Sequence, residues 1–193
     1  MTARTHDLAA VTALGLVLLV EPVKALTLST VLVALLANQI GGIVPDIDQP
    51  TAPFWRNLPI GRIFGKIVDK LIGGHRFLSH SLIGVVALSA LANLLLRFLH
   101  PIMQHIDIQL VWYAFIIGLL SHLIMDTFTK EGVPWLLPLP LKFGLPPLKE
   151  LRITTGKHVE SLLIFPGFLV LDVWLCVSHY SQLASFLHQH VIQ

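Results

Sequence analysis

Long apolar runs separated by short polar clusters organise this chain. Five of them read as helices able to cross a bilayer, which takes about 20 mostly apolar residues each. They cover roughly residues 8–20, 25–44, 81–99, 108–127 and 161–180. The first is short, with 13 uncharged residues between Asp7 and Glu21. It either spans with its polar ends at the interfaces or is partly re-entrant. A secretory signal competes with that reading, because Val23-Lys24-Ala25 loosely resembles a cleavage site. Against it stand a basic region reduced to Arg4 and the charges between Glu21 and Lys24.

Two connections carry patterns of their own. Ile60, Ile63, Phe64, Ile67, Leu71 and Ile72 recur at helical spacing, with Arg62, Lys66, Asp69 and Lys70 between them. This suits a basic amphipathic helix lying on an anionic leaflet, and equally a helix packed on the rest of the protein. The stretch 132–148 holds prolines at 134, 138, 140, 146 and 147 among Trp, Leu and Phe. Each internal proline removes a donor and clashes with the preceding turn, so no regular helix forms there. It is expected at the interface or folded over a site as a lid. The fold class is therefore all-α: a polytopic membrane bundle of about five spans, in one domain over residues 1–193, with an interfacial amphipathic helix and a proline-rich lid.

Composition agrees. The chain is 54% hydrophobic and 12% charged, with a mean hydropathy of +0.76, whereas soluble domains carry about 25% charged residues. A net charge of +2 gives no sign of a nucleic-acid partner, and the single cysteine, Cys176, excludes an internal disulfide and a Cys-rich zinc module. The distribution of charge says more. The face holding the N-terminus receives 11 Lys and Arg residues, and the opposite face only Lys24 and Arg97. That bias makes the first face cytoplasmic. Trp55 and Trp135 on that face and Trp112 on the other suit interfacial anchors.

The polar residues fall on this topology unevenly. His6 opens the first run, Asp46 and Asp48 close the second, and His75 and His80 open the third. His122 and Asp126 end the fourth, while His158 and Glu160 precede the fifth. All lie at the basic face. His122 and Asp126, four residues apart, share one helical face, so both can reach one ion. Ionisable groups in so apolar a helix normally face a polar interior. His75 and His80 suit a loop residue and a first-turn residue, with Ser79 as the N-cap. Asp46 and Asp48, between Pro45 and Gln49-Pro50, suit an extended turn. Asp172 stands alone in the middle of the fifth run, where it either functions or pairs with a neighbouring helix; the histidines at 100, 105, 179, 188 and 190 map to the opposite face. Imidazole and carboxylate without thiolate favour zinc, with manganese as the alternative. The number of donors suits more than one ion, as phosphoester cleavage uses.

These residues also carry a family resemblance. Val44-Pro45-Asp46-Ile47-Asp48, His75-Arg76 followed by Ser79-His80-Ser81, and Gly118 to His122 with Asp126 resemble the YdjM-like family of inner-membrane-associated, metal-dependent hydrolases. Gly132-Val133-Pro134, the later Leu-Pro segment and Thr155-Gly156 leading to Glu160 extend the match over nearly the whole chain. That family is distantly similar to the zinc-dependent phospholipase C and single-strand nuclease superfamily, which is all-helical. The resemblance implies that His6, Asp46 or Asp48, His75, His80, His122, Asp126 and Glu160 match ligand and base positions. Where the family has a second glycine after Thr-Gly, this chain has Lys157 and His158, leaving His158 open as an extra ligand.

The expectation is a membrane-bound hydrolase at the cytoplasmic leaflet of the inner membrane, acting on a phosphoester, with a lipid reached laterally as substrate. His6, Asp46, His75, His80, His122, Asp126 and Glu160 hold metal, Asp48 orients or deprotonates water, and Arg76 pairs with phosphate. The rivals are a metal transporter, which needs donors along the membrane path, and a membrane adaptor with a structural metal.

Overall fold

The computed structural model describes residues 1–20, 26–72, 76–139 and 141–191. His75, the cleavage-like residues 23–25 and Pro140 lie outside them. The elements are α1 (Ala3–Val20), α2 (Leu28–Ile43), α3 (Pro53–Arg56), α4 (Gly61–Ile72), α5 (Leu82–Leu99), α6 (Ile108–Thr127), α7 (Phe165–Ser178) and α8 (Tyr180–Val191). A 3-10 turn, Val44–Asp48, prolongs α2, and a π-helical turn, Glu160–Ile164, leads into α7. There is no strand among the described residues, only two isolated bridges.

Among the described residues, four helical stretches are long and apolar enough to cross a membrane: Leu28–Asp48, Leu82–Ile102, Ile108–Thr127 and Glu160–Ser178. The first of the about five expected runs, in α1, is not among them, in keeping with the short or partly re-entrant segment expected there. The apolar part of α1 begins only at Leu8, after Arg4, His6 and Asp7, and extends about 20 Å at 1.5 Å per residue, short of the ~30 Å hydrocarbon core. The outer surfaces of the spans are apolar and uncovered, as at Val86 and Phe98 of α5 or Val170 and Val177 of α7. That is the surface lipid requires.

Helix starts follow side-chain chemistry. Thr27 accepts from the amide of Thr30, and Asp107 from those of Gln109 and Leu110. Ser81, not Ser79, caps α5, accepting from the amide of Gly84. This leaves Ser79 for another partner. The aspartates at 46 and 48 sit on the 3-10 turn rather than on an extended one. Pro45 occupies its first turn, where no amide donor is needed.

The central contact is between α2 and α6. Lipid supplies no hydrophobic drive for helices to associate, so close packing by small residues does that work. A Cβ on Gly41 would overlap the carbonyl of Phe115, and one on Gly118 would overlap the carbonyl of Asn38. Between them the Asn38 amide donates to the Ala114 carbonyl at 3.1 Å. Helix α1 packs on both, burying Ala9, Ala10 and Leu14.

The apolar stripe of α4 faces outward: Ile60, Ile63, Phe64, Ile67 and Leu71 are all exposed. Its packing side is instead Gly61 and Gly65, set against Trp55 and Pro50. Of the two readings of α4, the one that packs this stripe on the protein is excluded. Trp55 is buried and its indole N–H donates to the Ile47 carbonyl at 2.8 Å, so it is a packing residue and not an interfacial anchor. Trp135 donates to Thr127, and Trp112 to the Ser89 carbonyl. The proline-rich segment is irregular, as expected. It is pinned to the end of α6 by the Leu145 amide on the Thr127 carbonyl, and to the start of α5 by the Leu82 amide on the Trp135 carbonyl. It meets the polar cluster described below through the carbonyl of Gly132.

Substituting Gly118 by Ala should force the α2 and α6 backbones apart and cost about 1–3 kcal/mol, read as a lower melting temperature in detergent. Gly15→Ala is the control: its Cβ enters open space, and the change should be neutral or stabilise by up to about 1 kcal/mol.

Candidate metal centre

Four helix termini deliver side chains to one point. His6 comes from the start of α1, Asp46 from the turn after α2, His80 from the segment before α5, and His122 and Asp126 from the last turns of α6. His6, His122 and Asp126 place one donor atom each within 4.8 Å of one another, and so do Asp46, His80 and His122. Four of the five are buried, and Asp46 is one-fifth exposed.

His122 belongs to both triads, and its geometry is fixed. Its Nδ1 lies 2.6 Å from the Gly42 carbonyl, which can only accept, so Nδ1 carries the proton. In the neutral ring Nε2 is then the lone-pair nitrogen. It is buried without a hydrogen-bond partner, 3.6 Å from Asp46 Oδ1 and 3.8 Å from Asp126 Oδ2. The His6 ring stacks on the His122 ring at 3.8 Å between centroids and 10° between planes. His6 Nε2 is 3.2 Å from Asp126 Oδ1.

His80 is oriented from behind. Its Nδ1 is 2.9 Å from Ser79 Oγ and 3.4 Å from Asp48 Oδ2, while Ser79 Oγ donates to Asp48 and the Arg76 amide donates to the same oxygen at 2.9 Å. With Nδ1 so engaged, Nε2 faces Asp46 and Asp126 at 3.9 and 3.7 Å. Burial pushes the His80 imidazole below the ordinary histidine range, against the opposing pull of Asp48. The neutral ring is the form that can ligate.

Asp126 carries the largest concentration of charge. The Met1 amino group lies 2.5 Å from Oδ1, and Arg76 Nη2 lies 2.5 Å from Oδ2. Arg76 also reaches Glu131, Thr129 and the Gly132 carbonyl. The structure thus engages Arg76 inside the protein, 7% exposed, rather than leaving it open to an incoming phosphate. Asp48 is wholly buried behind His80.

Glu160 belongs to neither triad. Its Oε1 accepts from the Thr2 amide and from the hydroxyls of Thr2 and Thr5, at 2.6–2.7 Å, and its Oε2 from the Gly156 amide at 2.7 Å. This carboxylate ties α1 to the π-helical turn. Gly156 supplies the turn in the left-handed region, φ +72°, so the expected glycine chemistry survives the Lys157-His158 departure. His158 is exposed and joins no triad. Sequence reasoning missed Ser79 as the link between Asp48 and His80, Gly42 as the acceptor for His122, and the threonines at 2 and 5. Of these, only the Gly41-Gly42 pair, two adjacent glycines within an apolar run, carries a signal in the sequence.

The family model described as YdjM inner membrane protein matches residues 1–186. The inner membrane protein YdjM of Escherichia coli (strain K12) is 32% identical over 138 residues, 69% of this chain and 61% of that protein, and the same figures hold for YdjM of Shigella flexneri. The uncharacterized protein YvsG of Bacillus subtilis (strain 168) is 27% identical over 128 residues, 66% of this chain and 69% of that protein. The matched region thus spans about three-fifths of the YdjM relatives' length. No solved structure matches. With a match over almost its full length and four apolar spans, the chain is a membrane protein that belongs to the YdjM family of inner membrane proteins.

Proposed function

We propose that this membrane protein is a metal-dependent hydrolase of phosphoesters, with its site at the cytoplasmic face of the inner membrane. The carrying observation is His122: an imidazole locked by Gly42, its buried Nε2 without a hydrogen-bond partner at the meeting point of two donor triads. A lone-pair nitrogen kept dry in that way is costly unless something occupies it. The donor set of imidazoles and carboxylates fits zinc, with manganese next. A divalent ion supplies hydroxide at neutral pH and stabilises charge on phosphoryl oxygens.

The protein's own groups divide into two sorts. His6, Asp46, His80, His122 and Asp126 would hold metal, and five donors accommodate more than one ion, although the single Nε2 of His122 serves only one. Asp48, Ser79 and Arg76 are positioning residues: the first two fix the His80 ring, and Arg76 fixes the Asp126 carboxylate. Asp46 borders the open side of the cluster and is the carboxylate suited to orient an attacking water. The orientation rests on the 11-to-2 Lys and Arg asymmetry. Donors gathered at one end of the bundle disfavour the transporter reading, which needs them along the path.

Elemental analysis of detergent-purified protein should find at least one zinc or manganese per chain, lost in His122→Ala. Metal-free wild type after reconstitution would end the hydrolase reading. Asp48→Asn should weaken metal affinity about 10–100-fold without abolishing it, measured by competition with a chromogenic chelator. Because the native fold keeps His80 neutral below the ordinary value of about 6.5, the unfolded chain binds the extra proton. Stability should therefore be flat above about pH 7 and fall as the pH drops below about 6.5, in thermal melts of the metal-free protein.

A further inference from the structure

A cavity of about 330 Å³ opens beside the metal cluster, within the size range of small-molecule sites. Its lining is of two kinds. His6 and Asp46, one from each triad, contribute polar groups together with Asp7 and Asn57, whereas Ile43, Phe54 and Leu58 contribute apolar wall. Phe54 and Leu58 are also partly exposed, at 42% and 45%, so the wall continues onto the surface. Two residues beyond Leu58, Ile60 begins the uncovered apolar stripe of α4, with Arg62, Lys66 and Lys70 exposed beside it. A stripe of that composition seats on an anionic leaflet. The cavity wall thus adjoins the stripe along the chain, and the cavity reaches two metal-ligand candidates.

We propose that this cavity holds one acyl chain of an anionic phospholipid, with the phosphate turned toward His6 and Asp46. Chain and headgroup make separate demands. The chain needs only the apolar wall. The phosphate can approach the Asp46 carboxylate only with a cation between them, so the headgroup part rests on the metal-hydrolase reading.

The test is photolabelling in phosphatidylcholine nanodiscs doped with phosphatidic acid that carries a diazirine on its acyl chain, with adducts mapped by mass spectrometry. The zinc-loaded protein should be labelled at residues 43–58, and Leu58→Asp, a change at an exposed position, should reduce that labelling at least tenfold. Label confined to the outward faces of α5 and α7, as for any surrounding lipid, overturns the proposal. Chelation, or replacement of the probe by a diacylglycerol with the same diazirine, should reduce cavity labelling severalfold. Equal labelling in all three conditions overturns the headgroup assignment. Protein that elemental analysis finds unable to bind metal, yet labels at 43–58, removes the hydrolase reading and leaves the acyl site standing.

Discussion

The close approach of α2 and α6 is the constraint on which the rest of the structure depends. Gly41 and Gly118 bring the two backbones into contact where no side chain fits, and Asn38 ties them with a hydrogen bond to a main-chain carbonyl. In lipid this contact cannot be replaced by greasier side chains, since lipid tails are as apolar as leucine. One turn further along the same seam, the Gly42 carbonyl meets His122 Nδ1. The packing that holds the bundle together therefore also fixes which nitrogen of His122 points into the cluster.

Around that seam the buried charges are compensated one by one. Asp126 faces an amino group, a guanidinium and an imidazole; Asp48 accepts from a backbone amide and a hydroxyl; Glu160 accepts four hydrogen bonds. A carboxylate stripped of water is destabilising by several kcal/mol unless it finds such partners. Asp46 is the member of the cluster left partly exposed, and it borders the cavity. Burial thereby separates Asp46 from Asp48, although the two lie only two positions apart.

Much of this was legible beforehand. Hydropathy located these four spans among the five runs it marked, because length and apolarity are what a bilayer demands. Four-residue spacing placed His122 beside Asp126, and the alternation of the spans placed His6, Asp46 and His80 at the same end. The division of labour was not legible. Nothing in Val-Pro-Asp-Ile-Asp shows which aspartate turns inward, since that depends on a 3-10 turn and on Ser79 arriving from a distant segment. Arg76 read as a phosphate binder because its partners, Asp126 and Glu131, lie some 50 positions away. Glu160 read as a ligand because Thr2 and Thr5 look like unremarkable polar residues at the chain start.

The dispersal of the cluster over the chain has a consequence for how the protein is made. A nascent membrane protein delivers its helices to the bilayer in order, and here the donors arrive at residues 6, 46, 80, 122 and 126. Until α6 has entered and docked on α2, neither triad exists, and His6 and Asp46 stand without the ring that joins them. The two donor triads therefore come together late and all at once during biogenesis. A chain stalled or truncated before α6 is inserted lacks the centre altogether, whatever the state of its earlier helices.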